Sequence, residues 1–167
     1  LQQVFSSLAG FAGVQRRMEV EGIESGITVI DDYAHHPTEI AASIQGLKEK
    51  FTGRIIGIFQ PHLFSRTIKL LPQFAAAFEG LDELILTDIY PAREKPIPGI
   101  TGEILVEPVK QNGVHVTYIP VMKDIVPHLL GIIRNGDHVV TIGAGSIWQT
   151  GENLLQVLRE QKEEIHQ

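Results

Sequence analysis

Five short apolar runs, each followed by turn residues and then by helical spacing, constrain this chain more than any other feature. They read ITVI (27–30), RIIGIF (54–59), ELILTDI (83–89), VHVTYI (114–119) and HVVTIGAG (138–145). RIIGIF is almost unbroken, as expected of a strand covered on both faces of a parallel sheet. Between the runs, Pro37 opens a stretch in which Ile40, Ile44, Leu47 and Phe51 share one helix face, and Gly53 closes it. Similar spacing predicts helices over 65–78, 102–110, 122–134 and 147–162. Ahead of them, apolar residues at 18–23 and 27–30, separated by Glu24, Ser25 and Gly26, suit a hairpin or two strands joined by a turn. Strands alternating with helices predict an α/β layered fold with a mostly parallel sheet.

Ligands of such sheets collect beyond the carboxyl ends of the strands. Four unusual clusters sit there: DDYAHHPTE after Ile30, QPHLFSRT after Phe59, DIYPAREKPIPG after Thr87 and GAGS after Ile142. Asp32, Tyr33, His35 and His36 could hold a substrate or nucleotide, because carboxylates take hydroxyl or ammonium groups and imidazole serves near neutral pH. The plainer alternative has Asp31 and Asp32 satisfying backbone amides at a strand-to-helix turn, with the histidines merely exposed. A zinc site lacks the usual i, i+4 histidine pair. In the second cluster, Arg66 offers a planar fork for a carboxylate or phosphate near a helix start, or else is a solvated first-turn residue behind a Ser65 cap. The third cluster is long for a βα connection and places Asp88, Tyr90, Arg93 and Glu94 together, with prolines favouring a held conformation. GAGS permits close backbone approach to a ligand, or simply tight strand-to-helix packing, and lacks the P-loop lysine.

Composition excludes several classes. A length of 167 residues fits one domain, and 43% apolar with 20% charged residues is ordinary for a globular protein, with no apolar run long enough for a bilayer. The 20 acidic and 14 basic residues give a net charge of −6 without long like-charge blocks, so no nucleic-acid footprint is visible. There is no cysteine, hence no disulfide framework and no thiolate metal site. No secretory pattern opens the chain, making the cytoplasm the default. A start at Leu1 without methionine reads as a piece of something longer.

In this order, DDYAHHPTEI, FQPHLFSRT, LTDIYPAREKPIPGITG and TIGAGSIW resemble the C-terminal domain of the Mur ligases, and within that family its L-alanine-adding members. The resemblance runs from about residue 11 to 155; DYAH is the less selective motif, QPH with SRT and DIYPARE the more selective. It implies a Rossmann-like sheet of about six strands with helices on both faces, with residues 1–16 ending a central domain and linker and 17–167 forming the C-terminal domain. It also implies an ATP-dependent chemistry in the cytoplasm. ATP phosphorylates the carboxylate of UDP-N-acetylmuramate, and the amine of L-alanine attacks the acyl phosphate to give amide, ADP and phosphate. The phosphate loop, the Mg²⁺ ligands and the uridine-nucleotide site belong to N-terminal and central domains absent here, so this chain alone is expected to be inactive. By position, Arg17 and Asp32 match residues near ATP, whereas Tyr33, His35, His62 and Arg66 match the amino-acid end of the cleft. Leu63 stands where many members carry a second arginine, leaving Arg66, or another base such as Arg93, to hold the alanine carboxylate. Competing readings are the family's recycling ligase, which attaches a tripeptide, a non-catalytic nucleotide-binding module, and a metal-dependent hydrolase.

Overall fold

The computed structural model describes residues 16–165; the expected linker, apart from Arg16, lies outside them. Its six strands are β1 (Glu19–Glu24), β2 (Ile27–Asp32), β3 (Ile55–Phe59), β4 (Glu83–Leu86), β5 (Val116–Tyr118) and β6 (His138–Ile142). They form one sheet in the order β1-β2-β6-β3-β4-β5. Only β1 is antiparallel, joined to β2 by a tight turn in which Ser25 and Gly26 both have positive φ, 51° and 74°. That conformation matches the twist of a two-residue hairpin.

The helices are α1 (Pro37–Lys50), α2 (Phe64–Lys69), α3 (Leu71–Ala77), α4 (Val106–Gln111), α5 (Ile125–Leu130) and α6 (Trp148–Ile165). Period-2 alternation sorts the strand side chains into two apolar layers. Ile30, Phe59, Leu84, Leu86 and Val140 pack on one face with Ile40, Ile44 and Leu47 of α1 and with Phe74 and Phe78. Val29, Ile56, Ile58, Ile85 and Val139 pack on the other with α5 and α6 through Ile125, Leu129, Leu154 and Leu158. Each such side chain contributes about 1.5–3 kcal/mol on burial, so both layers hold the sheet. The chain steps from β3 to β5 along one face, then returns across the other to insert β6 between β2 and β3. Opposite directions on opposite faces keep every crossover the same hand.

Three expected helices differ from their sequence reading. The stretch 65–78 breaks at Leu70 (φ −107°, ψ 18°), because Pro72 in the first turn of α3 has no amide to continue α2. The stretches 102–110 and 122–134 each open as a 3₁₀ turn, Gly102–Leu105 and Met122–Asp124, before α4 and α5 begin, and α5 stops at Gly131 rather than near Arg134. At the amino ends of β3 and β6, Arg54 donates from Nε (3.2 Å) and Nη2 (2.8 Å) to the Asp137 carboxylate, and also from Nη2 to the Ile132 carbonyl. This clamp lies at the amino ends of the strands, the opposite end of the sheet from the clusters. No described helix is long and apolar enough to cross a membrane.

Candidate functional site

The carboxyl ends of β2, β6, β3 and β4 meet on one rim, and there the four clusters converge. Asp31 and Asp32, adjacent in β2, project to opposite faces of the sheet, so each finds its own partners. Asp31, 1% exposed, accepts from Arg16 Nε and from the Thr141 hydroxyl, both at 2.6 Å. Arg16 also donates to the Gly143 carbonyl at 2.9 Å and lies over the Tyr33 ring, 5.0 Å from its centroid. Asp32, 4% exposed, accepts from the amides of Ala34 (2.7 Å) and Met18 (3.0 Å) and from the Ser43 hydroxyl (3.0 Å). Beside it opens a cleft of about 370 Å³ lined by Arg17, Met18, Thr38, Glu39 and Ser43.

The two histidines after β2 separate. His36 is the cap of α1, its Nδ1 accepting from the Thr38 amide, and Glu39 returns the contact by accepting from the amides of His36 and His35. Burial pushes the Glu39 carboxyl up, but those amides and the charges of His35 and Arg17 outweigh it and hold it below its ordinary value. His35 faces across the rim. Its ring meets Tyr33 edge-on at 5.4 Å and His62 at 5.9 Å, and His62 in turn stacks on Tyr90 at 5.7 Å with 17° between planes. Four rings therefore run in a row from β2 to β4.

His62 is held on three sides. Its backbone bridges to Tyr90, extending the sheet past β3, and its Nδ1 lies 3.4 Å from Arg66 Nη1. Burial, Arg66 and His35 together push its imidazole below the ordinary value, with Glu94 pulling weakly the other way. Between His62 and α2 the chain turns through Leu63 at φ 72°, a strained conformation for a residue with a side chain, and the Leu63 carbonyl takes both the amide and the hydroxyl of Thr67. Glu94 reaches over from the long loop to accept from the Ser65 amide at 3.0 Å and from its hydroxyl, contacts that lower its carboxyl. The loop is also pinned by Asp88 Oδ1, which accepts from the amides of Ile89 and Gly102. The proline-rich stretch is thus a held conformation. Gly145 has no room for a side chain, since a Cβ would sit 2.3 Å from Gln60 Oε1 and 2.9 Å from Tyr90 Cγ, while Gln60 accepts from the Ser146 amide. Tight packing accounts for GAGS.

Of the sequence-derived candidates, Tyr33, His35, His62 and Arg66 come together, whereas Arg17 and Asp32 flank the neighbouring cleft. Arg93 is exposed and is one residue from the Glu94 anchor. Sequence reasoning passed over Arg16, which rather than Arg17 ties β2 to β6; the doubled Arg-Arg beside the doubled Asp-Asp was the available signal. Sequence reasoning likewise gave no site role to Glu39 within DDYAHHPTE. Among the described residues no group of three or more His, Asp or Glu is placed to hold a metal ion.

A curated relative from Geotalea uraniireducens, UDP-N-acetylmuramate–L-alanine ligase, is 48% identical over 158 residues, covering 94% of this chain and 34% of its own length. The crystal structure of UDP-N-acetylmuramate-alanine ligase MurC from Thermotoga maritima superposes with a TM-score of 0.75 at 25% identity, covering 95% of this chain and 36% of that one. A murein peptide ligase from Psychrobacter arcticus gives 0.71 at 25% identity, over 92% of this chain and 32% of that one. The chain therefore spans about a third of the length of the relatives it matches. The sequence profile of the Mur ligase glutamate ligase domain matches residues 16–145, most of the described structure, and the chain belongs to that family.

Proposed function

We propose that this chain is the C-terminal, amino-acid-binding domain of a cytoplasmic, ATP-dependent ligase that joins L-alanine to UDP-N-acetylmuramate. The observation that carries it is the rim where Arg66, His62 and His35 converge: a guanidinium beside two imidazoles suits a small zwitterion, with its carboxylate toward the arginine. The names of the relatives support the same substrate pair. Tyr33 and Arg93 complete the amino-acid side, and Arg17 with the cleft walled by Asp32 takes the nucleotide side.

In this reading the acyl phosphate is made where N-terminal and central domains of the full-length ligase hold ATP and UDP-N-acetylmuramate. This domain then presents the amino acid to it. In the same reading Mg²⁺ is held with ATP by those other domains; among the described residues here no group of three or more His, Asp or Glu is placed to hold a metal ion. The Arg66 fork fixes the carboxylate, which aligns the amine with the acyl carbon and converts a bimolecular encounter into a positioned attack.

The test is ATP-dependent phosphate release by the full-length protein with UDP-N-acetylmuramate and either L-alanine or the recycling tripeptide. Release dependent on L-alanine is expected, with none from the isolated chain. Dependence on the tripeptide would move the protein to the recycling branch, and release without any amino-acid requirement would refute the assignment.

A further inference from the structure

The two facing histidines cannot share a protonation pattern, because each contacts a group of fixed polarity through Nδ1. A backbone carbonyl only accepts, so the 3.1 Å contact between His35 Nδ1 and the Tyr33 carbonyl puts the His35 proton on Nδ1 and leaves Nε2 as a lone pair. A guanidinium only donates, so the 3.4 Å contact between Arg66 Nη1 and His62 Nδ1 makes that nitrogen an acceptor and leaves His62 with Nε2–H. The rings stand 5.9 Å apart, presenting one acceptor and one donor. Resting on the ligase reading above, we infer that His35 is the base that takes a proton from the amino-acid ammonium, while His62 stays neutral and donates to the substrate carboxylate or the developing oxyanion.

The surroundings divide the roles in the same way. Glu39 Oε2 lies 3.6 Å from His35 Nδ1 and is itself fixed by the amides of His35 and His36, so a carboxylate waits beside the imidazolium that proton uptake creates. That is the base-and-orienter arrangement of activated nucleophile sites. His62 has Arg66 against it and His35 facing it, while Glu94, bound to Ser65, is the anion that acts on it among the described residues. A second positive charge there is disfavoured, and protonating Nδ1 would end the Arg66 contact. In the step itself, one N–H bond of the ammonium breaks, its proton passes to His35 Nε2, and its electron pair becomes the amine lone pair that forms the C–N bond; the acyl C–O bond to phosphate breaks with its electron pair going to the departing phosphate, which also carries off the second proton of the attacking nitrogen. The imidazolium returns the proton to water after product leaves.

The experiment uses the full-length protein with ATP and UDP-N-acetylmuramate and compares two nucleophiles, L-alanine and hydroxylamine, which is already neutral near pH 7. Wild type should form amide with the first and hydroxamate with the second. In His35→Gln, which keeps an acceptor atom but takes no proton, turnover with L-alanine should fall by ~100-fold or more, whereas hydroxamate formation should change far less. Raising the pH should recover part of the L-alanine rate in His35→Gln as free amine accumulates. His62→Gln, which keeps an N–H donor, should raise KM for L-alanine more than it lowers kcat. Equal losses for both nucleophiles in His35→Gln, or a nucleophile-dependent loss in His62→Gln instead, would overturn the assignment. A wild type that makes neither amide nor hydroxamate would overturn the ligase reading beneath it.

Discussion

Asp32→Asn is the substitution on which the structure and the position-based reading disagree most sharply. From sequence alone, an asparagine that keeps one acceptor oxygen would leave stability nearly intact, so any loss of turnover would report a nucleotide contact. The structure shows the carboxylate serving three donors with two oxygens: Ala34 N on Oδ1, and Met18 N with Ser43 Oγ on Oδ2. Asparagine has one oxygen and one NH₂. With the oxygen toward Ala34, the NH₂ opposes the Met18 amide; flipped, it opposes the Ala34 amide. The Ser43 hydroxyl can rotate to accept, but either orientation orphans one backbone amide at a residue 4% exposed. A lost bond to a charged acceptor, with a donor left unpaired, costs about 1.5–3 kcal/mol. For a chain of this size that is a fall in Tm of roughly 3–12 °C. Urea and thermal denaturation of the wild type and Asp32→Asn, monitored by circular dichroism, would read it. A change below about 0.5 kcal/mol would refute the three-donor account and free the carboxylate for a ligand.

Arg66→Ala in the full-length protein should weaken L-alanine use by ~10 to 100-fold, the worth of a charge-assisted carboxylate contact, with Arg66→Lys rescuing only part; unchanged alanine kinetics would return Arg66 to a solvated helix residue. Because the folded protein holds His62 below its unfolded value of about 6.5, the unfolded chain takes up this proton first as pH falls. Stability from neutral His62 is therefore complete above that pH and is lost as pH falls toward the folded value, so the stability gap between wild type and His62→Gln should shift against the wild type between neutral and mildly acidic pH. Arg54→Ala should cost about 2 kcal/mol by taking the guanidinium from the Asp137 carboxylate, which keeps only the Arg134 amide among the described residues, yet leave KM for L-alanine unchanged, since the clamp sits at the amino ends of the strands, away from the rim; a change in KM would argue against that separation.

The layered α/β fold was legible because its signals are local. IIGIF is apolar at every position apart from its glycine, which suits a strand covered twice, and the Ile40, Ile44, Leu47 spacing states its own helix face. The placement of chemistry-bearing residues at strand ends was legible for the same reason, since each cluster directly follows its apolar run. What sequence could not supply were relations set by packing between distant segments. Nothing local says that β6 inserts between β2 and β3, yet this insertion brings Gly143 to Arg16 and Gly145 against Gln60 and Tyr90. The break at Leu70 turned on one missing amide competing with an otherwise continuous helical pattern. The histidine polarities were decided last: motif position and resemblance make His35 and His62 site candidates, but only a carbonyl at one ring and a guanidinium at the other, brought together by the tertiary fold, set which nitrogen of each ring faces an acceptor and which a donor.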